Sequence, residues 1–276
     1  MKKKLIIVVM IFVVIFSILI NLRIRIKNSN TLSYGVFTGL QPKNINRLLS
    51  YKEVVIDASY YSKAQIDFLH KKGIKVYSYL NVGSLENFRP YYSDFKDIAL
   101  DNYENWKDES WIDVSNPKWD NYVVNTLGKN LKDKGVDGFF LDNLDVYSKY
   151  KKDSMFIGLL NIIKGLNSSY NLPVISNGGV DFLETAENKK ISLKSLIYGI
   201  NIESVYTTVD FNNNKFIKNS RDDRDKKVKY LEKLKSKDIL IYIVEYSRDT
   251  SLKKIIHNYY RNLGFKVYIS NSLNLN

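Results

Sequence analysis

The 276-residue chain contains no cysteine, which excludes disulfides, thiolate metal sites and a cysteine nucleophile. It also removes the lipid-bearing cysteine on which a bacterial lipoprotein is anchored. Histidine is nearly as scarce, with only His70 and His257. Both fall in helical patterns and read as structural; His70, with Lys71 and Lys72, suits a helix C-terminus, where positive charge is favoured. There is no GxGxxG, and no lysine follows Asn177-Gly178-Gly179, so that segment reads as a tight turn rather than a phosphate cradle. No basic run interleaves with aromatics, so nothing points to nucleic acid. No linker, repeat or low-complexity stretch interrupts residues 31–276.

What is present begins with the N-terminus. Lys2-Lys3-Lys4 precedes an apolar run from Leu5 to Ile20, broken only by Ser17, and Arg23, Arg25 and Lys27 follow. The run is slightly short for a membrane span, but Leu22 and Ile24 extend it. No small residues stand at the distance expected of a signal-peptidase site. Residues 1–30 therefore read as an uncleaved transmembrane signal-anchor and linker, with residues 31–276 as one extracellular domain at the cell membrane. Secretion after cleavage is the alternative.

Formal net charge is +13, but six basic and no acidic residues lie in positions 1–30. The body carries 36 basic against 29 acidic groups. Such a surplus reads first as a solvated surface, and secondarily as an attraction for anionic polymers or headgroups. At 45% hydrophobic residues the chain can bury a sizeable core.

Eight short apolar runs alternate with helical patterns: 34–37, 53–57, 75–81, 138–142, 173–177, 196–203, 239–245 and 266–270. Between them, helices are signalled by Pro42, Ser62, Asn116-Pro117, Asp153 and Ser251 at their starts and by Gly73, Gly135 and Gly264 at their ends. The stretch 83–110 reads as a rim loop with some helix and 205–222 as a long polar loop, with a short extra strand at 111–114. Alternation of this kind implies parallel pairing through right-handed crossovers. Eight units in about 245 residues predict a single-domain (β/α)8 TIM-like barrel; an open doubly wound sheet is the alternative.

Several runs end in a carboxylate or an amide, residues too costly to bury unpaired. In a barrel these ends converge on one mouth. That mouth would gather Asp57, Asn81, Glu86, Asp142, Asn143, Asp145, Asn177, Glu203, Glu245 and Asn271. Two carboxyls flanking a bond are what glycoside hydrolysis requires. Tyr60, Tyr61, Tyr79, Tyr91, Tyr92, Trp106 and Tyr147 lie next to these positions, and flat aromatic faces suit sugar rings. Trp119 reads as packing. Asp142-Asn143-Leu144-Asp145 has a calcium-like composition but lacks the loop length, glycine and distal glutamate of an EF-hand.

The run Tyr77-Ser78-Tyr79-Leu80-Asn81-Val82-Gly83-Ser84-Leu85-Glu86-Asn87-Phe88-Arg89-Pro90-Tyr91-Tyr92 resembles the third-strand motif of the endo-α-1,4-polygalactosaminidase-like glycoside hydrolases, family 114. Gly135 to Tyr147 is similar to their fourth-strand signature, and Asn201-Ile202-Glu203-Ser204 to their sixth-strand segment. The resemblance covers roughly residues 34–272. It implies a TIM-like barrel that hydrolyses α-1,4-linked galactosamine or N-acetylgalactosamine polymers. No cofactor or metal is expected from the residues. By position, Asp142 would be the nucleophile and Glu203 the general acid/base of a retaining mechanism. Asp57, Tyr79, Asn81, Glu86, Arg89, Asn143, Asp145, Asn177 and Glu245 would bind substrate. An acid that must stay protonated at neutral pH needs a less polar setting or a neighbouring negative charge, which Asp142 would provide. Two rival expectations stay open: a saccharide-binding protein on a degenerate barrel, and a metal-dependent hydrolase using Asp142 and Asp145.

Overall fold

A computed structural model of the protein describes residues 32–104, 106–211, 213 and 215–276. The expected membrane anchor at residues 5–20 lies outside them. Eight strands form one parallel sheet: β1 (Gly35–Phe37), β2 (Glu53–Ile56), β3 (Lys75–Asn81), β4 (Gly138–Asp142), β5 (Val174–Asn177), β6 (Gly199–Glu203), β7 (Leu240–Tyr246) and β8 (Lys266–Ser270). They are hydrogen-bonded in chain order from β1 to β8, so each crossover returns the chain beside the strand it left.

The sheet curls into a nearly closed TIM-like barrel. Across the seam between β1 and β8 the rings of Phe37 and Tyr268 meet with centroids 5.1 Å apart. Above the seam, Gly39 N donates to the Leu275 carbonyl at 3.2 Å. This brings the C-terminal tail across the barrel mouth, a placement the sequence reading does not foresee.

Helices cover the outer face, and their boundaries follow local chemistry. Ser62 caps Lys63–Lys71 through a capping box with Gln65, which satisfies end donors reciprocally. Asn116 caps the segment opened by Pro117 by accepting from Lys118 N. That helix runs through a π-helical stretch, Val123–Gly128, before Lys129–Lys134 ends at left-handed Gly135. Two predicted caps are displaced. Lys152, not Asp153, occupies the cap position of Asp153–Tyr170. Asp249, not Ser251, caps Thr250–Leu263, because its carboxylate accepts from both Ser251 N and Leu252 N.

Helix and sheet interlock through Ile66, Leu69, Leu131, Leu159, Ile162, Ile163, Leu166, Phe182, Leu231, Leu234 and Ile256, all buried. Each such side chain contributes about 1.5–3 kcal/mol on burial. Trp119 is fully buried and its indole donates to the Val82 carbonyl at 2.9 Å, the packing role expected of it. His70 Nε2 lies 2.9 Å from Asp137 Oδ2, which also accepts from Val76 N; this ties the helix to β3.

Both predicted loops contain sheet. Residues 83–110 hold Ser84–Glu86 and Ala99–Asn102, antiparallel to Glu109–Ile112. The extra strand thus starts two residues before the predicted 111–114. Residues 205–222 hold a hairpin of Thr207–Asp210 and Lys215–Lys218. Both were obscured because these short strands carry many polar side chains and lose the apolar signature of the barrel strands.

Candidate active site

The barrel mouth opens into a cleft of about 700 Å³. Six carboxyl groups line it (Asp57, Glu86, Glu109, Asp142, Asp145 and Glu203), together with one guanidinium, Arg89. The net positive charge of the body is therefore carried elsewhere, and the cleft itself is acidic.

Register explains the gathering. Asn177 on β5 pairs with Asn201 on β6, and Leu141 with Ser176, which sets Asp142 beside Asn177. Side chains at matched parallel positions share a face, and Glu203, two residues past Asn201, joins the same inner face. The Asn177 amide nitrogen donates to Asp142 Oδ1 at 2.8 Å and to Glu203 Oε1 at 3.1 Å. These two oxygens can be no farther apart than the sum of those distances, under about 6 Å. Retaining pairs stand about 5–5.5 Å apart and inverting pairs about 6.5–9.5 Å.

Asp142 Oδ1 also accepts from Asn143 N at 2.9 Å. Burial pushes its carboxyl up to about 7; the Asn177 hydrogen bond opposes that rise, and the charges of Glu203 and Glu109 add to it. The raised carboxyl is thus the one the resemblance casts as nucleophile. Glu203 Oε2 accepts from Tyr246 OH at 2.5 Å, and the Tyr246 ring is stacked on Phe216 of the hairpin.

A second pair is held differently. Arg89 reaches Asp57 Oδ2 at 2.8 Å and Glu86 Oε2 at 2.5 Å, with all three side chains nearly buried. Burial works against the guanidinium charge, but Glu86 and Asp57 outweigh it and raise the Arg89 pKa. Burial raises the Glu86 carboxyl, and Arg89 opposes the rise. Tyr79 OH points at Glu86 Oε1 at 3.4 Å.

Asn81 and Asn143 form the support below. Asn143 has a left-handed backbone, φ 64°, and its amide donates to Asn81 Oδ1, Ser84 Oγ and Glu109 Oε2 at 2.9–3.3 Å. Asn143 still borders the cleft, whereas Asn81 is buried beneath it and does not line it. Asp145 lines the cleft and accepts from Gly179 N at 3.2 Å. Gly178 has φ +66°, and a Cβ there would stand 2.4 Å from Asp145 Oδ2, so the Asn177-Gly178-Gly179 turn requires glycine at that step. Asp142, Asn143 and Asp145 thus turn to separate partners. Among the described residues no group of three His, Asp or Glu side chains is arranged to hold a metal ion.

Two expected residues stand elsewhere. Glu245 is fully buried and does not reach the cleft. It accepts from the backbone of Val205, Tyr206 and Thr207, from Thr207 Oγ1 and from Tyr260 OH. Strand β7 lies one residue later than predicted, at Leu240–Tyr246 rather than 239–245, and side chains alternate, so Tyr246 faces the cleft and Glu245 faces outward. Asn271 is exposed and bonded to Lys253. Of the aromatics, Tyr60, Tyr79 and Trp106 line the cleft; Tyr61, Tyr91 and Tyr147 pack in the body.

Glu109, Tyr246 and the tail residues Leu273–Leu275 also line the cleft, beyond the residues expected from the sequence. Glu109 opens the accessory strand Glu109-Ser110-Trp111-Ile112 and accepts from Ser84 Oγ at 2.6 Å. Its strand opens on two polar residues, Glu109-Ser110, so no alternation marks it in the sequence.

A family model described as glycoside-hydrolase family GH114 matches residues 42–275. No curated protein matches the chain by sequence. Among solved structures, the glycoside hydrolase domain of PelA from Pseudomonas aeruginosa has a TM-score of 0.74 at 18% identity, covering 89% of this chain and 95% of that one. Aspergillus fumigatus Ega3, in complex with galactosamine, gives 0.68 at 18% identity, covering 90% and 92%. An α-galactosidase from Thermus thermophilus gives 0.55 at 11%, covering 86% and 57%. Likeness at these identities establishes the barrel.

Proposed function

The chain belongs to glycoside-hydrolase family GH114 and is a glycosidase, and from that premise we propose that it cleaves α-1,4-linked galactosamine or N-acetylgalactosamine polymers by a retaining mechanism. Asp142 is the nucleophile and Glu203 the general acid/base. The observation that carries this reading is the single amide nitrogen of Asn177 within hydrogen-bond reach of both carboxyls. Ionised Asp142 attacks the anomeric carbon while Glu203 protonates the departing glycosidic oxygen. Glu203 then takes a proton from water, whose oxygen displaces Asp142 from the sugar.

The acidic cleft supports an amino sugar. Six carboxyls against one guanidinium attract an ammonium, and an ammonium near Asp142 favours its ionised, reactive form. Tyr60, Phe88 and Trp106 present exposed rings along the cleft, suited to stacking on sugar faces. The Ega3 structure, itself a galactosamine complex, accords with this choice. The apolar run at residues 5–20 supports anchoring at a membrane with the barrel outside; alkaline extraction and protease protection of whole cells test that part.

The function is tested with the full chain on defined galactosamine oligomers. Wild type releases new reducing ends, and NMR shows the α-anomer first. Asp142→Asn loses activity by more than about 10³-fold while keeping its fold. Undiminished activity in that variant, or a β-anomer formed first, would overturn the assignment.

A further inference from the structure

Asparagine presents two ends of similar shape and opposite polarity, and hydrogen-bond partners determine which end faces where. At Asn177 the nitrogen faces Asp142 and Glu203. A half-turn about its last torsion would set the carbonyl oxygen against two carboxyls. The opposite end is held from beneath. Asn177 Oδ1 accepts from Asn201 Nδ2 at 2.7 Å. Asn201 is fully buried within β6, and its Oδ1 accepts from Tyr34 OH at 3.3 Å. Tyr34 is itself buried beneath the cleft, its ring against Tyr242. Burial, then the charge of Glu203, keep its phenol protonated. Donors therefore run one way, from the Tyr34 hydroxyl through Asn201 and Asn177 to the two carboxyls.

The carboxyls alone cannot hold this orientation through a reaction cycle. Asp142 loses its charge when it becomes an ester, and Glu203 gains and loses a proton. Each change weakens the grip on the amide from above. The Asn201–Tyr34 pair carries no charge and does not change during the cycle. Burying Asn201 is costly unless its polar atoms are satisfied, and it spends them on this contact.

We propose that Asn201, held by Tyr34, is a positioning residue that keeps the Asn177 amide nitrogen turned toward Asp142 and Glu203 in every state of the reaction. The inference rests on the reading that these two carboxyls carry hydrolysis. Around Asp142 the other titratable groups are Glu203 on β6, Glu109 on the accessory sheet, Tyr103 just past its Ala99–Asn102 strand, Tyr79 on β3 and Tyr246 on β7. None of these forms a hydrogen bond to Asn201 among the described residues, so a change at 201 reaches Asp142 through Asn177.

The test compares Asn201→Asp, Asn201→Leu and Tyr34→Phe with wild type, following kcat, KM and the pH profile of kcat/KM. A carboxylate at 201 draws the Asn177 nitrogen downward and turns its oxygen to the carboxyls. Asn201→Asp is expected to lose kcat about 10- to 100-fold, the worth of a hydrogen bond to a charged group, with KM changed little. The acid limb of its profile moves to higher pH, because Asp142 loses the donor that favours its ionised form. Asn201→Leu moves the limb the same way, and Tyr34→Phe moves it less. Unchanged kcat and an unmoved limb in folded variants overturn the proposal. If both Asn201 variants fail to fold, Tyr34→Phe decides: a moved limb supports the clamp and an unmoved one ends it. Asp142→Asn run alongside separates the two readings, since full activity there sinks the hydrolytic assignment itself.

Discussion

Two pairs of carboxyls line one cleft and are bridged in opposite ways. Asp57 and Glu86 share the Arg89 guanidinium. Asp142 and Glu203 share the neutral Asn177 amide. A cation between two carboxyls attracts their charged forms and fixes their positions. An amide orients without neutralising, so the second pair keeps a charge and a proton free to change. The first arrangement suits a fixed wall and the second suits chemistry. The comparison predicts that losses on one side appear in rate and on the other in stability.

After the loss already expected of Asp142→Asn, the largest effect is expected at Glu203. Glu203→Gln keeps the Asn177 and Tyr246 contacts approximately in place but cannot exchange a proton. Activity on polymer should fall about 10²–10⁴-fold, the range of general acid–base catalysis, with little change in thermal midpoint. Azide should restore turnover of substrates with good leaving groups, since it attacks the glycosyl-enzyme without a base. Lack of rescue on such substrates would assign the acid/base role to another residue.

Arg89 tests the opposite pair. Arg89→Met leaves Asp57 and Glu86 buried without their counterion, and breaking a buried pair from one side costs about 3–5 kcal/mol. For a chain of this size each kcal/mol is worth about 2–4 °C, so the midpoint should drop clearly at pH 8. The loss should shrink as pH falls and the orphaned Glu86 carboxyl, already raised by burial, takes up a proton. Equal losses at pH 8 and pH 5 would mean that packing, not charge, makes Arg89 important.

Asp142 sharpens the contrast from the other direction. Its carboxyl is raised from an ordinary 3.8 to about 7, chiefly by burial. A raised acid contributes stability that is present below the unfolded value and is lost as pH rises through the folded one. Asp142→Asn should therefore melt higher than wild type above pH 7, and the gain should vanish toward pH 4, as calorimetry can follow. In wild type, kcat/KM should rise with pH through about 7, because the proposed nucleophile works only when ionised. A midpoint that does not rise at pH 8 would remove the cost attributed to this buried charge.

Most of this division is legible in the residues. Strands β3, β4 and β8 were predicted at their observed bounds because apolar runs there stop abruptly at polar residues. The same stops placed Asp142, Asn177 and Glu203 together. What escaped has common causes. Glu245 and Tyr246 were exchanged because the strand ends one residue later than predicted, and alternating side chains make that one residue decide which of them faces inward. Glu109 lay in a segment whose polar strands resemble loop. Asn201 stood between Ile200 and Ile202 in an apolar run, and only the barrel's register reveals that it meets Asn177.

The smallest effect expected is at Tyr246, which touches the reactive pair from outside. Its hydroxyl donates to Glu203 at 2.5 Å, and burial followed by the Glu203 charge raises its pKa, so it serves as a donor throughout the working range. Tyr246→Phe keeps the ring stacked on Phe216 and removes only that donor. A loss of about tenfold in kcat on polymer is expected. Substrates whose leaving group departs without protonation should be affected less in the glycosylation step, because Glu203 then has little acid work to do. Equal losses on both substrate types in that step would show that Tyr246 shapes the cleft rather than Glu203, and the amide bridge from Asn177 would be left as the principal control on the pair.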